Sequence, residues 1–308
     1  MRIAVLAAGG VGAYFGARLA AAGHDVHFIA RGAHLEAIRR AGLRIISVHG
    51  DLHLPKPNAT NEPAEIGSVD IVLFAVKLWD VEMAAAFARP LLGERTRVIT
   101  LQNGVDSYER VSAAIGADHA VPGVANVSSL IVEPGLVRQM SSFHAITFGQ
   151  PDGRADDVLE RFAASSAHAN CIVKFSNDIQ RERWRKFVVL TGTSGATALT
   201  RMTLGSILED PDTRIFLREL MRETLSVGRA EGIALEEGFV EERTAYLDAS
   251  APREMRTSMA HDVMRGNRLE VDWLNGHVSR LGRVHGIPTP RNDTVYAGLK
   301  LHRIGAVR

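Results

Sequence analysis

The sequence predicts a doubly wound α/β domain over residues 1–177, followed by an all-α domain over residues 178–308. Three observations carry this prediction. Apolar runs of strand length alternate with helical stretches through about residue 120, the pattern of a parallel sheet with crossover helices. Residues 3–29 hold a strand, a glycine turn, a helix and a second strand in immediate succession. Beyond Asn177 strand signals nearly vanish and helical periodicity takes over.

The first unit is the most informative. Residues 3–6 read as a buried strand, Gly9, Gly10 and Gly12 as the turn, residues 11–22 as a small-residue helix and residues 26–29 as the second strand. Glycines in such a turn let the backbone approach a pyrophosphate that sits at the positive end of the helix. Ala7, Ala8, Gly9, Gly10, Val11 and Gly12 are therefore candidate cofactor contacts, and Gly16 lets the helix pack close to the sheet. The motif departs from G-x-G-x-x-G at its first position, which is Ala7. A plain βαβ packing unit is the alternative.

The end of the second strand indicates which nucleotide binds. An NAD site places Asp or Glu there to accept from the ribose hydroxyls. This chain has Ala30-Arg31-Gly32, and Asp25 lies at the wrong end of the strand. A guanidinium suits a 2′-phosphate by charge and by its forked donors, so the expected cofactor is NADP(H). A solvated loop arginine is the alternative reading of Arg31.

Composition narrows the class. With 36 basic against 35 acidic side chains, no net field recruits nucleic acid or a membrane surface. A single cysteine, Cys171, excludes an internal disulfide and suits a reducing compartment. No apolar run is long enough to span a bilayer, and the glycine-broken N-terminal run reads as mature structure, so the expected location is the cytoplasm. The 36 basic residues comprise five lysines (Lys56, Lys77, Lys174, Lys186 and Lys300) and therefore 31 arginines. A lysine kept in such a chain points to a task that Arg cannot perform, such as releasing a proton near neutrality. Lys56 and Lys300 read as surface residues; Lys77 and Lys186 do not.

Further along, residues 35–41 read as a helix, 43–48 as a strand and 55–65 as a polar, Pro-rich loop. A strand over 70–76 ends at Lys77, a helix follows over 81–92, and a strand over 98–101 closes on Gln102-Asn103-Gly104. Ligands of doubly wound sheets bind beyond the carboxyl ends of the strands. The glycine turn, Arg31, Lys77 and Asn103 all fall at such ends. Residues 121–148 read as antiparallel strands broken at Pro134-Gly135, 156–169 as a helix and 171–175 as a strand. Helices are then expected over 179–199, 211–231, 236–247, 252–265, 269–285 and 290–304. The junction near 176–178 is expected to be tight, with the active cleft beside it.

An NADPH site implies hydride transfer, and carbonyl reduction also needs a proton donor for the developing alkoxide. Lys186, in Arg183-Trp184-Arg185-Lys186-Phe187, is the candidate. Trp184 is expected to give apolar cover and the arginines to disfavour a further ammonium charge. A helix-surface lysine is the alternative.

This ordered set resembles the ketopantoate reductase (2-dehydropantoate 2-reductase) family over essentially the whole chain. The matching features are the glycine turn, Arg31, Val76-Lys77, Gln102-Asn103-Gly104, Trp184-x-Lys186 and Ser258-Met259-x-x-Asp262. The most specific is Leu269-Glu270-Val271-Asp272-x-x-Asn275-Gly276. The resemblance implies a dinucleotide-binding domain followed by an all-α domain, and NADPH-dependent reduction of a 2-oxo acid. It implies Lys186 as proton donor to the carbonyl oxygen and Asn103 in contact with cofactor and substrate. Ser258 would hold the substrate carboxylate, Glu270 would bind the nicotinamide-side ribose and orient the lysine, and Lys77 would line the cofactor cleft.

The chain also departs from the family. Family members carry substrate-binding asparagines four and eight residues after the lysine, where this chain has Leu190 and Ser194, and a third near Leu204. Ser194 remains a candidate substrate contact, and the altered wall suggests a less hydroxylated 2-oxo acid. Two other readings stay open: a β-hydroxyacid dehydrogenase, and a non-catalytic NADP(H)-binding sensor. The histidines, among them His24, His27 and His34, show no metal-ligand spacing, and no metal is expected. The expected partner is a small-molecule substrate; a homodimer is compatible with the sequence.

Overall fold

The computed structural model describes residues 1–306. Two compact units divide the chain, Met1–Ile179 and Gln180–Arg308. The first contains, in order, β1 (Arg2–Leu6), α1 (Gly10–Ala21), β2 (Asp25–Ile29), α2 (Gly32–Ala41), β3 (Leu43–Ile46), β4 (Leu52–Leu54), β5 (Asn58–Thr60) and β6 (Ile71–Phe74). It continues with α3 (Val81–Phe87), β7 (Arg97–Thr100), α4 (Ser107–Ile115), β8 (Ala120–Glu133), β9 (Leu136–Phe148), α5 (Asp157–Ser165) and β10 (Ile172–Phe175). The second holds α6 (Ile179–Thr200), α7 (Leu204–Glu209), α8 (Pro211–Ala230), α9 (Phe239–Ser250), α10 (Ser258–Arg265), α11 (Asn275–His285) and α12 (Pro290–Leu299).

The parallel part of the sheet runs β5-β2-β1-β6-β7-β8. Its central strands are apolar without alternation because both faces are covered. Ile3 and Val5 of β1 and Ile71 and Leu73 of β6 enter one core with α1, while Ala4, Leu6, Val72 and Phe74 enter the other. The strand order reverses at β1, between β2 and β6, which is where such sheets bind their ligands.

β8 begins parallel to β7, then turns at Pro134-Gly135 into a long antiparallel hairpin with β9. Gly135 takes φ +81° at this turn. β9 also pairs with β3 and β10, and β3 with β4. The hairpin packs on α1, where the Ser129 carbonyl lies against Gly10. Residues Gly12 to Leu19 of α1 are all buried, as expected for a helix apolar on every side.

Several elements differ from the sequence expectation. The strand at 43–46 does not join the run β5-β2-β1-β6-β7-β8 but pairs, also parallel, with β9 at the far side of the sheet. The third strand of the parallel unit is instead β5, three residues within the stretch read as a polar loop, held beside β2 by Ala30 N donating to Thr60 O at 3.0 Å. So short an edge strand carries no hydrophobic signal. The helix expected over 81–92 ends at Phe87, and a 3-10 turn over Arg89–Leu91 accommodates Pro90. Cys171 precedes β10 rather than lying in it; its thiol is buried and pushed up to about 12 by that burial. The helix expected over 252–265 starts at Ser258, because Met255 O and Arg253 O accept from Leu204 N and Gly205 N of the unforeseen α7. The helix expected from 269 begins at Asn275, because Leu274, at φ −100° and ψ −105°, is not helical. Among the described residues no helix is long and apolar enough to cross a membrane.

Candidate active site

In the first unit, the predicted cofactor residues gather at the carboxyl ends of β1, β2, β6 and β7. Ala7 takes φ +69°, a left-handed conformation that costs a side-chain-bearing residue ~1 kcal/mol. Ala8 N donates to Ile29 O at 2.8 Å, tying this turn to the end of β2. The glycines that follow have different causes. A Cβ at Gly10 would collide with the Ser129 carbonyl, and one at Gly12 with the Ala7 carbonyl and, at 2.8 Å, Val5 Cγ1. At Gly16 it would lie 2.6 Å from Phe28 Cε1, so these three are packing glycines.

Gly9 is not. Its φ of −76° and ψ of −160° suit any residue, and a Cβ there would meet no atom within 4 Å. Neither sterics nor backbone conformation explains the glycine. It leaves a cradle open at the start of α1, whose first turn has no side-chain cap and no acidic residue. Unpartnered amides and the positive helix end suit an anion such as pyrophosphate, so these residues fit a dinucleotide.

Arg31 is the N-cap of α2, exposed just past β2, with its guanidinium 5.6 Å from the Phe87 ring centroid. Lys77 follows β6 and is exposed, contrary to expectation, with Nζ 5.6 Å from the Trp79 ring centroid. Asn103 follows β7 and is half-buried. Val11 begins the helix beside Gly10. Sequence reasoning missed the role of Gln102, whose buried Nε2 donates to Phe74 O at 2.7 Å and Val76 O at 3.2 Å. That side chain fastens the end of β7 to the end of β6 and so fixes the segments bearing Asn103 and Lys77. A buried Gln closing an apolar strand was the available signal.

In the second unit, Lys186 lies on α6 and is half-buried. Burial pushes its ammonium down from 10.5 to about 8, while the nearby Glu270 carboxylate pulls in the opposite direction. Glu270 is itself 7% exposed, in the turn before α11. Of the expected causes, burial holds and repulsion by the arginines does not. Trp184 is buried and packs against Gly228, where a Cβ would lie 2.7 Å from the indole. Arg183 donates to Gln180 Oε1 at 2.7 Å and Arg185 to Glu236 Oε1 at 2.5 Å, and neither depresses the lysine.

Ser194 is fully buried, with no partner for its Oγ. Ser258 is exposed at the first residue of α10. Thr257 caps that helix and its Oγ1 lies 2.9 Å from Thr197 Oγ1, so α6 fixes where Ser258 starts. Leu190, one turn past Lys186, is half-buried and aliphatic. Among the described residues no three metal-ligating side chains cluster.

Comparison with known proteins identifies the family. The family model for "Ketopantoate reductase PanE/ApbA" matches residues 3–153, and that for the "Ketopantoate reductase PanE/ApbA C terminal" region matches residues 178–303. A 2-dehydropantoate 2-reductase of Mesorhizobium japonicum is 32% identical over 318 aligned positions, covering 96% of each chain. One from Mycobacterium tuberculosis is 32% identical, covering 95% of each chain. The crystal structure of 2-dehydropantoate 2-reductase from Geobacter metallireducens superposes with a TM-score of 0.91 at 32% identity, covering 98% of this chain and 99% of that one. With a glycine cradle ending the first strand of a parallel sheet, a half-buried lysine beside a carboxylate on the helical unit, and both family regions matched in order, the chain belongs to the ketopantoate reductase family of oxidoreductases.

Proposed function

We propose that the protein reduces a 2-oxo acid to the 2-hydroxy acid with NADPH, the substrate being ketopantoate or a close analogue, and that Lys186 is the proton donor. The observation that carries this reading is the ammonium of Lys186, which burial lowers to about 8 while Glu270 favours its charged form. Such a group is protonated at neutral pH yet acidic enough to release its proton to an alkoxide. NADPH, when bound, supplies the hydride. The carbonyl carbon gains that hydride, the carbonyl oxygen gains H⁺ from Lys186 Nζ, and the lysine recovers its proton from solvent.

Other residues take roles that their positions support. Arg31 at the end of β2 would meet the 2′-phosphate, and the open cradle at Gly9 the pyrophosphate. Asn103, fixed through Gln102, would touch cofactor and substrate, and Lys77 would line the cofactor side. Ser258 has an exposed hydroxyl at a helix start, suited to a substrate carboxylate. Glu270 would orient Lys186 and bind the nicotinamide-side ribose. Ser194 is too enclosed to reach substrate without movement of α6, so its role as a contact is the weakest of these. Leu190 places an aliphatic wall one turn from the lysine, which favours a side chain with fewer hydroxyls.

The test is NADPH oxidation across a panel of 2-oxo acids, with Lys186→Met alongside. The proposal expects turnover with ketopantoate or an aliphatic analogue, and loss of at least 100-fold in kcat with Lys186→Met, a loss of the size general acid catalysis supplies (about 10²–10⁴). NADPH binding without turnover of any 2-oxo acid would point instead to the sensor reading.

A further inference from the structure

We infer that Asn275 is a positioning residue for the proton donor: its buried carboxamide pins the 269–274 turn, and with it the Glu270 carboxylate, against α6 at a set reach from Lys186. The inference rests on the reading of Lys186 as the donor. Asn275 opens α11 and is 0% exposed. Its Nδ2 donates to Thr191 O on α6 at 3.1 Å and to Asn292 Oδ1 on α12 at 2.8 Å. Thr191 stands five residues past Lys186, and Asn275 five past Glu270. One amide therefore closes the frame between the two reacting-side groups.

The turn it holds is stiff, so displacement at Asn275 reaches Glu270. Glu270 O accepts from Trp273 N at 3.0 Å and Leu274 N at 3.1 Å, and Val271 O accepts from Gly276 N at 2.9 Å. The other end is anchored as well. Asn292 Nδ2 donates to Leu220 O at 3.2 Å and Glu223 Oε2 at 2.8 Å, and Glu223 also accepts from the backbone of Arg291 and Asn292. The chain of contacts thus runs from α8 through α12 and α11 to α6.

Glycine permits the close approach. A Cβ at Gly195 of α6 would lie 2.8 Å from Asn275 Nδ2. A leucine at 275 would fill a similar volume without a polar group to desolvate. An amide whose Nδ2 donates to two helices, while its buried Oδ1 accepts from no group among the described residues, instead selects one register of α11 against α6. Glu270 is the charged group that raises the proton affinity of Lys186 against the effect of burial; Glu182 stands one turn before the lysine on α6, and Arg183 and Arg185 bond to Gln180 and Glu236.

The test uses the full chain with Asn275→Leu, Gly195→Ala and Lys186→Met, following kcat/KM against pH and NADPH affinity by fluorescence. Asn275→Leu should move the alkaline limit of kcat/KM down by half a pH unit or more, as Glu270 loses its hold on the lysine, with NADPH affinity falling alongside because the same carboxylate is read as meeting the ribose. A uniform drop in kcat/KM with an unmoved limit would overturn the inference and leave Asn275 a packing residue. Should Asn275→Leu not fold, Gly195→Ala crowds the same amide and must displace the limit. If Lys186→Met keeps normal turnover, the donor reading fails instead, whatever the Asn275 variant does.

Discussion

Replacing Gly9 by alanine separates cofactor binding from folding more cleanly than any other change in the first unit. The backbone there already has dihedrals that alanine adopts, and the added methyl meets no atom within 4 Å. In such a place Gly→Ala stabilises by about 0.4–1 kcal/mol, because the unfolded chain loses freedom. In a chain of this length that raises Tm by roughly 0.5–1.5 °C. The same methyl fills the cradle at the start of α1, so NADPH affinity should fall at least tenfold, or about 1.4 kcal/mol. Gly12→Ala is the control with the opposite signature. Its methyl collides with the Ala7 carbonyl and crowds Val5, an overpacking worth about 1–3 kcal/mol or more, and Tm should fall. Thermal denaturation and NADPH fluorescence titration of both variants give the two readouts. A Gly9→Ala protein that binds NADPH within twofold of the parent would refute the reasoning about the cradle.

Three further outcomes follow from the same geometry. Arg31→Ala should weaken NADPH binding by about 10- to 100-fold, the loss of one charge-assisted phosphate contact, and leave NADH binding unchanged; equal losses for both would show that Arg31 does not meet a 2′-phosphate. Ala7→Gly should stabilise the protein by about 0.5 kcal/mol at most, because relief of the left-handed φ is largely offset by the freedom glycine adds to the unfolded chain, measured as a denaturation midpoint. Lys186 binds its proton less tightly in the folded protein than in the unfolded chain, so below about 8 the folded state carries a cost of ~3 kcal/mol. Between about 8 and 10.5 the unfolded chain holds a proton that the folded one lacks, so stability rises with pH. Lys186→Met should remove that slope and be the more stable protein near neutrality, less whatever Glu270 loses with its partner; urea midpoints across this range check it.

Much of the fold was legible because its strands are short apolar runs bounded by glycine and polar residues. Asp70 to Val76 and the 121–148 hairpin could hardly be read otherwise. The assignment of strand three failed for a physical reason. β3 has the hydrophobic residues but pairs with β9, whereas β5 has three residues, Asn58-Ala59-Thr60, and owes its place to backbone bonds with β2. Local pattern cannot reveal which partner a strand finds. The candidate site was legible where chemistry dictates residue type: the glycines, Arg31 and a lysine in an arginine-rich chain. What lowers Lys186 was legible only in part, because burial on α6 does the lowering and the adjacent arginines do not. Asn275 and Gly195 were also hidden, since their pairing joins positions eighty residues apart, and only the fold brings a carboxamide against a Cα with no side chain.

The central claim is that Lys186 is an acid poised near neutrality, and its own titration tests this most directly. With only five lysines in the chain, the ¹³Cε resonances of lysine-labelled protein can be assigned, Lys186 by its disappearance in Lys186→Arg. In the protein without cofactor, Lys186 should titrate with a midpoint of about 8, and lower still in Glu270→Gln. A midpoint near 10.5 for Lys186, unmoved by Glu270→Gln, would contradict the account.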